Sequence, residues 1–278
     1  MKKILLVLFS LSLISLTTIS NAKSIRIGTE GAYPPWNNLN SAGELEGAEI
    51  DFGNEACSRM AVDCEWVTQD WDGIIPALLQ GKYDIIIAGM SITEERKEKV
   101  NFTNGYMTDG ARFAVMKGSG LEGLTVGKGV SKVNLNNAGG KEQAAIGQLI
   151  AAMSGATVCV QSSTIHQNFL EKHMSGAVKV RLYQSVDDHN LDLRAGRCDA
   201  VLADVGSIID FMESGGGVNV AFTGPTFSGG VFGDGVGGAI RKEDGDILEM
   251  WNKVIAEMSA DGTTAEITKK WFGRDISM

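Results

Sequence analysis

Two short runs of apolar residues constrain the fold of this chain most strongly. Tyr83–Ala88 (YDIIIA) and Asp199–Ala203 (DAVLA) are apolar except for one aspartate each. Runs of this kind are typical of strands that are buried on both faces of a parallel sheet. The chain therefore predicts α/β structure, with helices that pack against the buried strands.

Helix and strand patterns alternate around both runs. The first unit contains a strand at Ser24–Thr29, a helix at Ile50–Met60, a strand at Cys64–Val67 and a helix at Trp71–Gln80. The second contains strands at Arg112–Lys117, Thr157–Gln161 and Val178–Tyr183 and helices at Lys141–Met153, Thr164–Met174 and Val186–Ala195. Alternation of strand and helix is the pattern of a parallel α/β sheet, so we expect two α/β lobes in succession.

The last part of the chain is too short for a third unit. After the glycine-rich stretch from Gly224 to Gly238, it supplies one strand, Gly235–Ile240, and two helices, Gly245–Ser259 and Thr263–Phe272. We expect these elements to return to the first lobe, so that two crossing strands form a hinge. The predicted first lobe is 23–108 together with 235–278, and the predicted second lobe is 109–234.

The amino terminus has the pattern of a secretory signal peptide. Lys2 and Lys3 precede an apolar run from Ile4 to Leu16, and Ser20-Asn21-Ala22 provides small residues for cleavage after Ala22. The run is short for a transmembrane span. The cleavage site contains no cysteine, so we do not expect a lipid anchor. We therefore predict that residues 1–22 are removed and that the mature chain is periplasmic.

The charge of the chain argues against several classes of partner. The net charge is −9, and removal of Lys2 and Lys3 lowers it to −11. An acidic protein without a basic stripe is a poor nucleic-acid binder, and no later segment is apolar enough to span a bilayer. The negative field attracts small cations instead.

The four cysteines are expected to face an oxidising compartment, where disulfides persist. Cys57 and Cys64 lie seven residues apart, within reach if a helix ends between them, and we expect them to pair. Cys159 and Cys198 each lie at an apolar strand-like segment, so a second bridge and two buried free thiols remain equally open.

Common catalytic and cofactor motifs are absent or out of context. Gly233–Gly238 (GDGVGG) matches a dinucleotide-binding pattern, but a strand follows it where that site needs a helix. No nucleophile elbow is present. The three histidines lack the neighbouring ligands of a metal motif: His166, His173 and His189. We therefore expect no cofactor and no metal.

A first group of candidate residues follows the first predicted strand. Glu30, Tyr33 and Trp36 lie in the segment EGAYPPW. Ligands of open α/β sheets bind at the carboxyl ends of the strands, and a carboxylate between aromatic rings can hold a cation. A rigid Pro-Pro loop with packed aromatic rings explains the same residues equally well.

A second group follows the buried strand Tyr83–Ala88. Gly89 allows close approach of the backbone, Ser91 offers a hydroxyl, and Thr93 is a candidate N-cap for the helix that carries Arg96. Arginine can hold a carboxylate through two parallel hydrogen bonds. Spacing alone favours a different interpretation of Arg96, as a surface arginine paired with Glu94 or Glu95.

Several segments together resemble the polar amino-acid-binding proteins of ABC transporters, among them IRIGTEGAYPPWN, YDIIIAGMSITEERKEKVNFT and LRAGRCDAVLAD. The resemblance is closest to the group that binds lysine, arginine, ornithine, histidine or opines such as octopine and nopaline. It runs in order from Ile25 to Phe272 and weakens between Gly118 and Ala156. It implies a non-catalytic type II periplasmic binding fold, with the ligand in an interlobe cleft. It also implies a monomer that delivers its ligand to a membrane permease, and a Cys57–Cys64 disulfide.

The resemblance implies a role for individual residues. Arg96 would bind the α-carboxylate of the ligand, with Ser91 and Thr164 adding contacts. Asp204 would bind the α-ammonium, together with the carbonyl of Gly89. The ligand side chain would lie between aromatic walls and meet an acidic residue at its distal cation: Tyr33, Trp71 and Glu30.

This chain also departs from the pattern of that group. Ala88 and Gly89 stand where many members carry serines, and Ile165 and His166 replace small polar residues. We expect His166 to face solvent. The competing hypothesis is an exported enzyme on the same fold, such as a cyclohexadienyl-type dehydratase, for which Glu30 is the one obvious acid or base.

Overall fold

The structure is a computed structural model that describes residues 24–278. The predicted signal peptide, residues 1–22, lies outside the described residues. Between residues 24 and 278, no helix combines the length and the apolar character needed to cross a membrane.

The secondary structure of residues 24–278 mixes short strands with longer helices. The strands are β1 Ser24–Thr29, β2 Ala32–Tyr33, β3 Asn37–Leu39, β4 Leu45–Glu46, β5 Asp63–Thr68, β6 Ile85–Ile86, β7 Asn101–Phe102, β8 Ala111–Met116, β9 Lys132–Asn134, β10 Thr157–Gln161, β11 Lys179–Tyr183, β12 Ala200–Asp204, β13 Val220–Ser228 and β14 Ala239–Ile240. The α-helices are α1 Ala48–Met60, α2 Ile74–Leu79, α3 Glu94–Lys97, α4 Gly140–Ala152, α5 Ile165–His173, α6 Val186–Arg194, α7 Val205–Glu213, α8 Gly245–Ala260 and α9 Thr263–Phe272. Two 3₁₀ turns lie at Trp71–Gly73 and Gly230–Phe232.

The sheet of the first lobe has the strand order β5-β1-β6-β14-β7. Strand β1 is parallel to both β5 and β6, as the alternating pattern predicts. Strand β14 is antiparallel to β6 and β7, so the sheet is mixed rather than purely parallel. The final helices α8 and α9 pack against α1 on this lobe, where Trp251 and Phe272 enter the same core as Phe52.

The sheet of the second lobe has the order β11-β10-β12-β8-β13-β9. Strands β11, β10 and β12 are parallel, whereas β8 is antiparallel to both β12 and β13. A separate core covers this sheet, with Phe113, Phe169 and Phe227 fully buried at its centre. The α/β class predicted from the sequence is confirmed.

Two chain segments that run between the sheets lie side by side. Met107 forms an antiparallel bridge with Val236, and the amide of Val236 donates to the carbonyl of Met107 at 2.8 Å. The predicted lobe boundaries stay a prediction. This bridge and the pairing of β14 with β6 support them, because both place the chain after residue 235 on the first lobe.

Several parts of the fold differ from the sequence prediction. No strand was predicted at β13, Val220–Ser228. Its second half falls in the stretch from Gly224 to Gly238, which was predicted to be a glycine-rich crossing. Its register on β8 shifts between Thr223 and Phe227, and Gly224 and Pro225 in this bulge disguise the strand pattern. Helix α7 and the small β2-β3-β4 sheet were not predicted at all.

Both cysteine pairs form disulfides, Cys57–Cys64 and Cys159–Cys198. The first forms as expected, across the end of α1 and the start of β5. The second settles the choice that the sequence left open, and it joins β10 to the segment that precedes β12.

We expect the second disulfide to stabilise the protein more than the first. It closes a longer loop, with a sequence separation of 39 against 7, and the loop entropy removed from the unfolded chain predicts a difference of about 1.5 kcal/mol. Urea unfolding of the Cys159→Ala/Cys198→Ala and Cys57→Ala/Cys64→Ala double variants measures this difference. Equal losses, or a larger loss for Cys57–Cys64, would contradict it.

Candidate functional site

A small cavity lies between the two lobes. All nine residues that the sequence predicted for a ligand site line this cavity: Glu30, Tyr33, Trp71, Ala88, Gly89, Ser91, Arg96, Thr164 and Asp204. Three residues that were not predicted for the site line it as well: Gln161, Ile165 and His166.

The first lobe contributes the loops that follow its central strands. Glu30 comes directly after β1 and Tyr33 lies in β2, while Ala88, Gly89 and Ser91 follow β6. The carboxyl ends of parallel neighbours meet at one edge of a sheet, which explains how residues about 60 positions apart share one wall.

The aromatic residues of the first predicted group divide between the cavity and the core. Tyr33 lines the cavity, together with Trp71 from outside this group. Trp36 is fully buried and packs edge-on against Phe272, with ring centroids 4.9 Å apart. The packed-loop explanation therefore holds for Trp36 and not for Tyr33.

A buried carboxylate that the sequence analysis missed, Glu49, joins the two loops. It accepts hydrogen bonds from the Gly89 amide at 2.7 and 2.8 Å, from Tyr106 Oη at 2.6 Å and from Asn37 Nδ2 at 2.9 Å. Asn37 in turn accepts from the Gly31 amide at 2.8 Å. Burial raises the pKa of Glu49, while the donors act in the opposite direction. Its position in α1 gave no signal of this role.

Arg96 is partly buried beside the cavity and forms no salt bridge within residues 24–278. The Thr93 hydroxyl caps its helix by accepting from the Arg96 amide at 3.3 Å, as predicted. Arg96 Nη1 donates to the carbonyl of Ser91 at 3.0 Å, and the guanidinium lies 5.2 Å from the centre of the Trp71 ring. Glu94 pairs with Lys97 instead, so the surface-pairing alternative is wrong for Glu94.

Burial lowers the pKa of Arg96 to about 10, with the charge of Glu95 acting in the opposite direction. The guanidinium therefore still carries its proton at neutral pH. A partly buried guanidinium with N–H donors to spare binds an anionic group strongly.

The second lobe presents the ends of β10 and β12. Gln161 ends β10, and Thr164 caps α5 by accepting from the Gln167 amide at 3.2 Å. The Thr164 hydroxyl also donates to the carbonyl of Gln161 at 2.7 Å. Asp204 ends β12 at the start of α7. Gln161 could have been found by the rule that found Glu30, since both lie at the carboxyl end of a strand.

Hydrogen bonds cross the cleft at the cavity and beside it. Tyr33 Oη donates to Asp204 Oδ2 at 2.7 Å, and Gln161 Nε2 donates to Glu30 Oε1 at 2.6 Å. Trp71 Nε1 donates to the carbonyl of Ser163 at 3.1 Å. Each bond joins the first lobe to the second, so the arrangement of the site depends on the lobes being close together.

Glu30 has the most strongly perturbed carboxyl group in the cavity wall. It is 9% exposed, and burial raises its pKa to about 7. The amide of Gln161 acts in the opposite direction, while the charges of Asp70, Asp72 and Asp187 raise the pKa further. A cation placed against Glu30 would relieve both the desolvation and this repulsion.

The prediction that His166 faces solvent is wrong. Its side chain is buried, and Nε2 lies 3.2 Å from Asp204 Oδ1. It is the second residue of α5, whose first turn faces the cavity because the second lobe packs against the first. That orientation depends on tertiary packing and leaves no mark in the local sequence.

A further buried carboxylate, Asp109, lies behind Asp204. It accepts from the amides of Gly206 at 2.6 Å and Gly110 at 2.8 Å, and from Arg274 Nη2 at 2.6 Å. Burial, followed by the charge of Asp204, raises its pKa to about 6. Asp109 thus ties the interlobe crossing to α7 and to the segment after α9.

Among the described residues, no cluster of histidine, cysteine or acidic side chains is arranged to hold a metal ion.

The sequence matches the family described as bacterial extracellular solute-binding proteins, family 3, over residues 25–274. The chain belongs to this family. This match, together with the relatives and the solved structure described next, confirms the resemblance to amino-acid-binding proteins of ABC transporters and the type II periplasmic binding fold.

Individual members of the family are similar over nearly their whole length. The L-arginine-binding protein of Pseudomonas aeruginosa is 37% identical, covering 99% of this chain and 98% of its own. The octopine-binding periplasmic protein of Rhizobium meliloti is 35% identical and covers 92% of each chain. These relatives are binding proteins and not enzymes, which supports binding over the dehydratase hypothesis.

A solved structure shows the same fold with an amino acid bound. It is a periplasmic His/Glu/Gln/Arg/opine family-binding protein from Silicibacter pomeroyi in complex with lysine. The two chains are 34% identical, with a TM-score of 0.72, and the match covers 91% of this chain and 99% of the other.

Loss of the Gln161 amide should raise the pKa of Glu30 above about 7, because this donor stabilises the carboxylate. We expect Gln161→Leu to raise it by about 1 to 2. NMR titration of the glutamate carboxyl carbons measures the value, with Glu30→Gln to identify the resonance. The matched control is Gln148→Leu, at an exposed position, and it should leave the pKa of Glu30 unchanged. An unchanged or lowered pKa in Gln161→Leu would contradict the assigned hydrogen bond.

Proposed function

We propose that this protein is the periplasmic binding component of an ABC transporter, and that it captures a basic amino acid or its opine derivative between its lobes. The observation that carries this proposal is the charge pattern of one cavity. Arg96, whose guanidinium forms no salt bridge with any of residues 24–278, lines the same cavity as two buried carboxylates, Glu30 and Asp204.

The amino-acid end of the ligand lies between Arg96 and Asp204. A zwitterion leaves water without loss only if both of its charges find partners. Arg96 on the first lobe takes the α-carboxylate, with Ser91 and Thr164 beside it, and Asp204 on the second lobe takes the α-ammonium, with the carbonyl of Gly89. Both ends are satisfied together only when the lobes are close.

The side-chain end lies between Tyr33 and Trp71 and meets Glu30. Both rings are buried, with 7% and 9% of their surface exposed, and flat rings favour a flat, delocalised cation such as a guanidinium. Glu30 is the acceptor for that cation, and Gln161 lies next to it on the second lobe. A neutral side chain would leave this carboxylate without a counter-charge.

Closure of the lobes follows from the same contacts. The bonds Tyr33–Asp204 and Gln161–Glu30 each cross the cleft, and a bound ligand adds further bridges between the same residues. A ligand that contacts both lobes stabilises the closed form by the free energy of those added contacts. Opening and closing occur at the paired crossings beside Met107 and Val236, between lobes bounded at 108/109 and 234/235.

The known relatives and the sequence support the cellular role. The similar proteins bind arginine and octopine, and a similar structure holds lysine. The basic n-region, apolar run and cleavage pattern of residues 1–22 direct the chain to the periplasm. There the protein acts as a monomer and delivers its ligand to the membrane permease of the transporter.

Replacement of Glu30 by glutamine should weaken the binding of arginine. The variant keeps the size of the side chain and removes the charge, so the expected loss is that of a charged hydrogen bond, about 1.5–3 kcal/mol or about 10- to 150-fold in Kd. Isothermal titration calorimetry measures it. Glu65→Gln, on an exposed position of β5, is the control. Unchanged affinity in Glu30→Gln would contradict the role of Glu30.

The affinity of the unmodified protein for arginine should depend on pH around the raised pKa of Glu30. The cation pairs with the ionised carboxylate, so binding releases a proton wherever Glu30 is protonated in the free protein. Affinity should therefore level off above about pH 7 and fall below it, by up to about tenfold per pH unit. Glu30→Gln should lose this dependence. A profile that is the same in both proteins would contradict the assignment.

A further inference from the structure

Two interlobe contacts lie beside the ligand cavity rather than in its wall. Ser162 Oγ donates to Asp72, at 2.9 Å from Oδ1 and 3.0 Å from Oδ2. Asn168 Nδ2 donates to Glu95 Oε2 at 3.3 Å. The two carboxylates belong to the first lobe and the two donors to the second, and none of the four residues lines the cavity. We call these two contacts the rim bonds.

The rim bonds are adjacent in the chain to two residues of the cavity wall. Asp72 follows Trp71, and Glu95 precedes Arg96. Trp71 and Arg96 line both the cavity and a neighbouring groove, and Asp72, Glu95 and Asn168 line only the groove. The rim bonds therefore hold this part of the wall against the second lobe from the side that faces away from the ligand.

The second lobe reaches the rim through the turn between β10 and α5. Ser163 in this turn has a φ of 57°, a left-handed conformation that residues other than glycine seldom adopt. The carbonyl of Ser163 accepts from Trp71 Nε1 at 3.1 Å, and the side chain of the preceding Ser162 meets Asp72. Backbone strain of this kind clusters at functional sites. Here the strained turn presents two consecutive residues to the first lobe.

The rim bonds join the lobes only while the lobes are close together. In an open form, Asp72 and Glu95 would bind water instead, so each rim bond adds to closure the net free energy of one hydrogen bond. Both carboxylates are exposed, which keeps this contribution modest. The Ser162–Asp72 bond is the shorter of the two and uses both carboxylate oxygens, so it should contribute more than Asn168–Glu95.

We propose that Ser162 and Asn168 are positioning residues that slow the release of every ligand alike, because they hold the closed form together at the rim of the cleft. This inference rests on the proposed function, since it requires a ligand that leaves only when two lobes part. The cavity residues select the ligand, whereas the rim bonds set how long a selected ligand stays bound.

Stopped-flow measurement of association and dissociation rates tests this inference, with arginine, lysine and octopine as probes. Ser162→Ala and Asn168→Ala each remove one rim bond and leave the acidic residues that act on Glu30 in place. We expect Ser162→Ala to speed dissociation about 3- to 10-fold, by the same factor for each probe, and Asn168→Ala about 2-fold. Association rates should stay the same, because the open form presents an unaltered cavity.

Two variants of Ser162 and one control separate the rim bond from other effects. Ser162→Thr keeps the hydroxyl and should keep the slow dissociation. In an Asp72→Ala background, Ser162→Ala should speed dissociation no further, because its partner is already gone. The matched control is Ser175→Ala, at an exposed position beyond the far end of α5, and it should leave both rates unchanged.

Three results would overturn the inference. They are an unchanged dissociation rate in Ser162→Ala, a factor that differs between the probes, and a change that appears in the association rate alone. Normal binding by the unmodified protein together with any of these results would overturn this inference and leave the proposed function standing. Failure of the unmodified protein to bind any of the three probes would overturn both.

Discussion

The carboxylate of Glu49 fixes the wall of the cleft on which the rest of the site depends. It is fully buried, and its hydrogen bonds reach the amide of Gly89, the hydroxyl of Tyr106 and the amide of Asn37. Through Asn37 it also holds Gly31. One side chain therefore sets the distance between the loop that carries the acidic residue of the site and the loop that carries the arginine. A buried carboxylate without these donors would be costly, so the network has one favourable arrangement.

The cleft places charges that complement those of an amino acid on opposite lobes. Arg96 comes from the short helix α3, which follows β6, and Asp204 from the end of β12. The hydroxyl of Tyr33 already joins the first lobe to Asp204, and the amide of Gln161 joins the second lobe to Glu30. An enzyme on this fold would need a group poised to move a proton to a reacting atom. Glu30, with a pKa of about 7, lies among aromatic rings and an amide, an arrangement that suits the holding of a cation.

Much of the fold could be predicted because its strands are short, apolar and separated by clear helix patterns. The structure reproduces Thr157–Gln161 as β10 and Thr263–Phe272 as α9 without change. Strand β13 could not be predicted, because Gly224 and Pro225 lie in its bulge and carry the signature of a loop.

The site was predictable where a residue follows a strand or matches a family position, as Glu30, Arg96 and Asp204 do. Glu49 and His166 escaped prediction for a physical reason. Each lies on a helix, and only the packing of that helix against another part of the chain decides which groups its side chain contacts. Gln161 was missed although it ends a predicted strand.

Binding of arginine and three of its analogues, each lacking one charge, tests the central claim most directly. Agmatine lacks the carboxylate expected at Arg96, N-acetylarginine lacks the ammonium expected at Asp204, and citrulline lacks the cation expected at Glu30. A ligand that binds only the native state raises the melting temperature, so a thermal-shift series compares the four compounds in one experiment. The account predicts a clear rise with arginine and a much smaller rise with each analogue. A rise with agmatine or citrulline equal to that with arginine would contradict it.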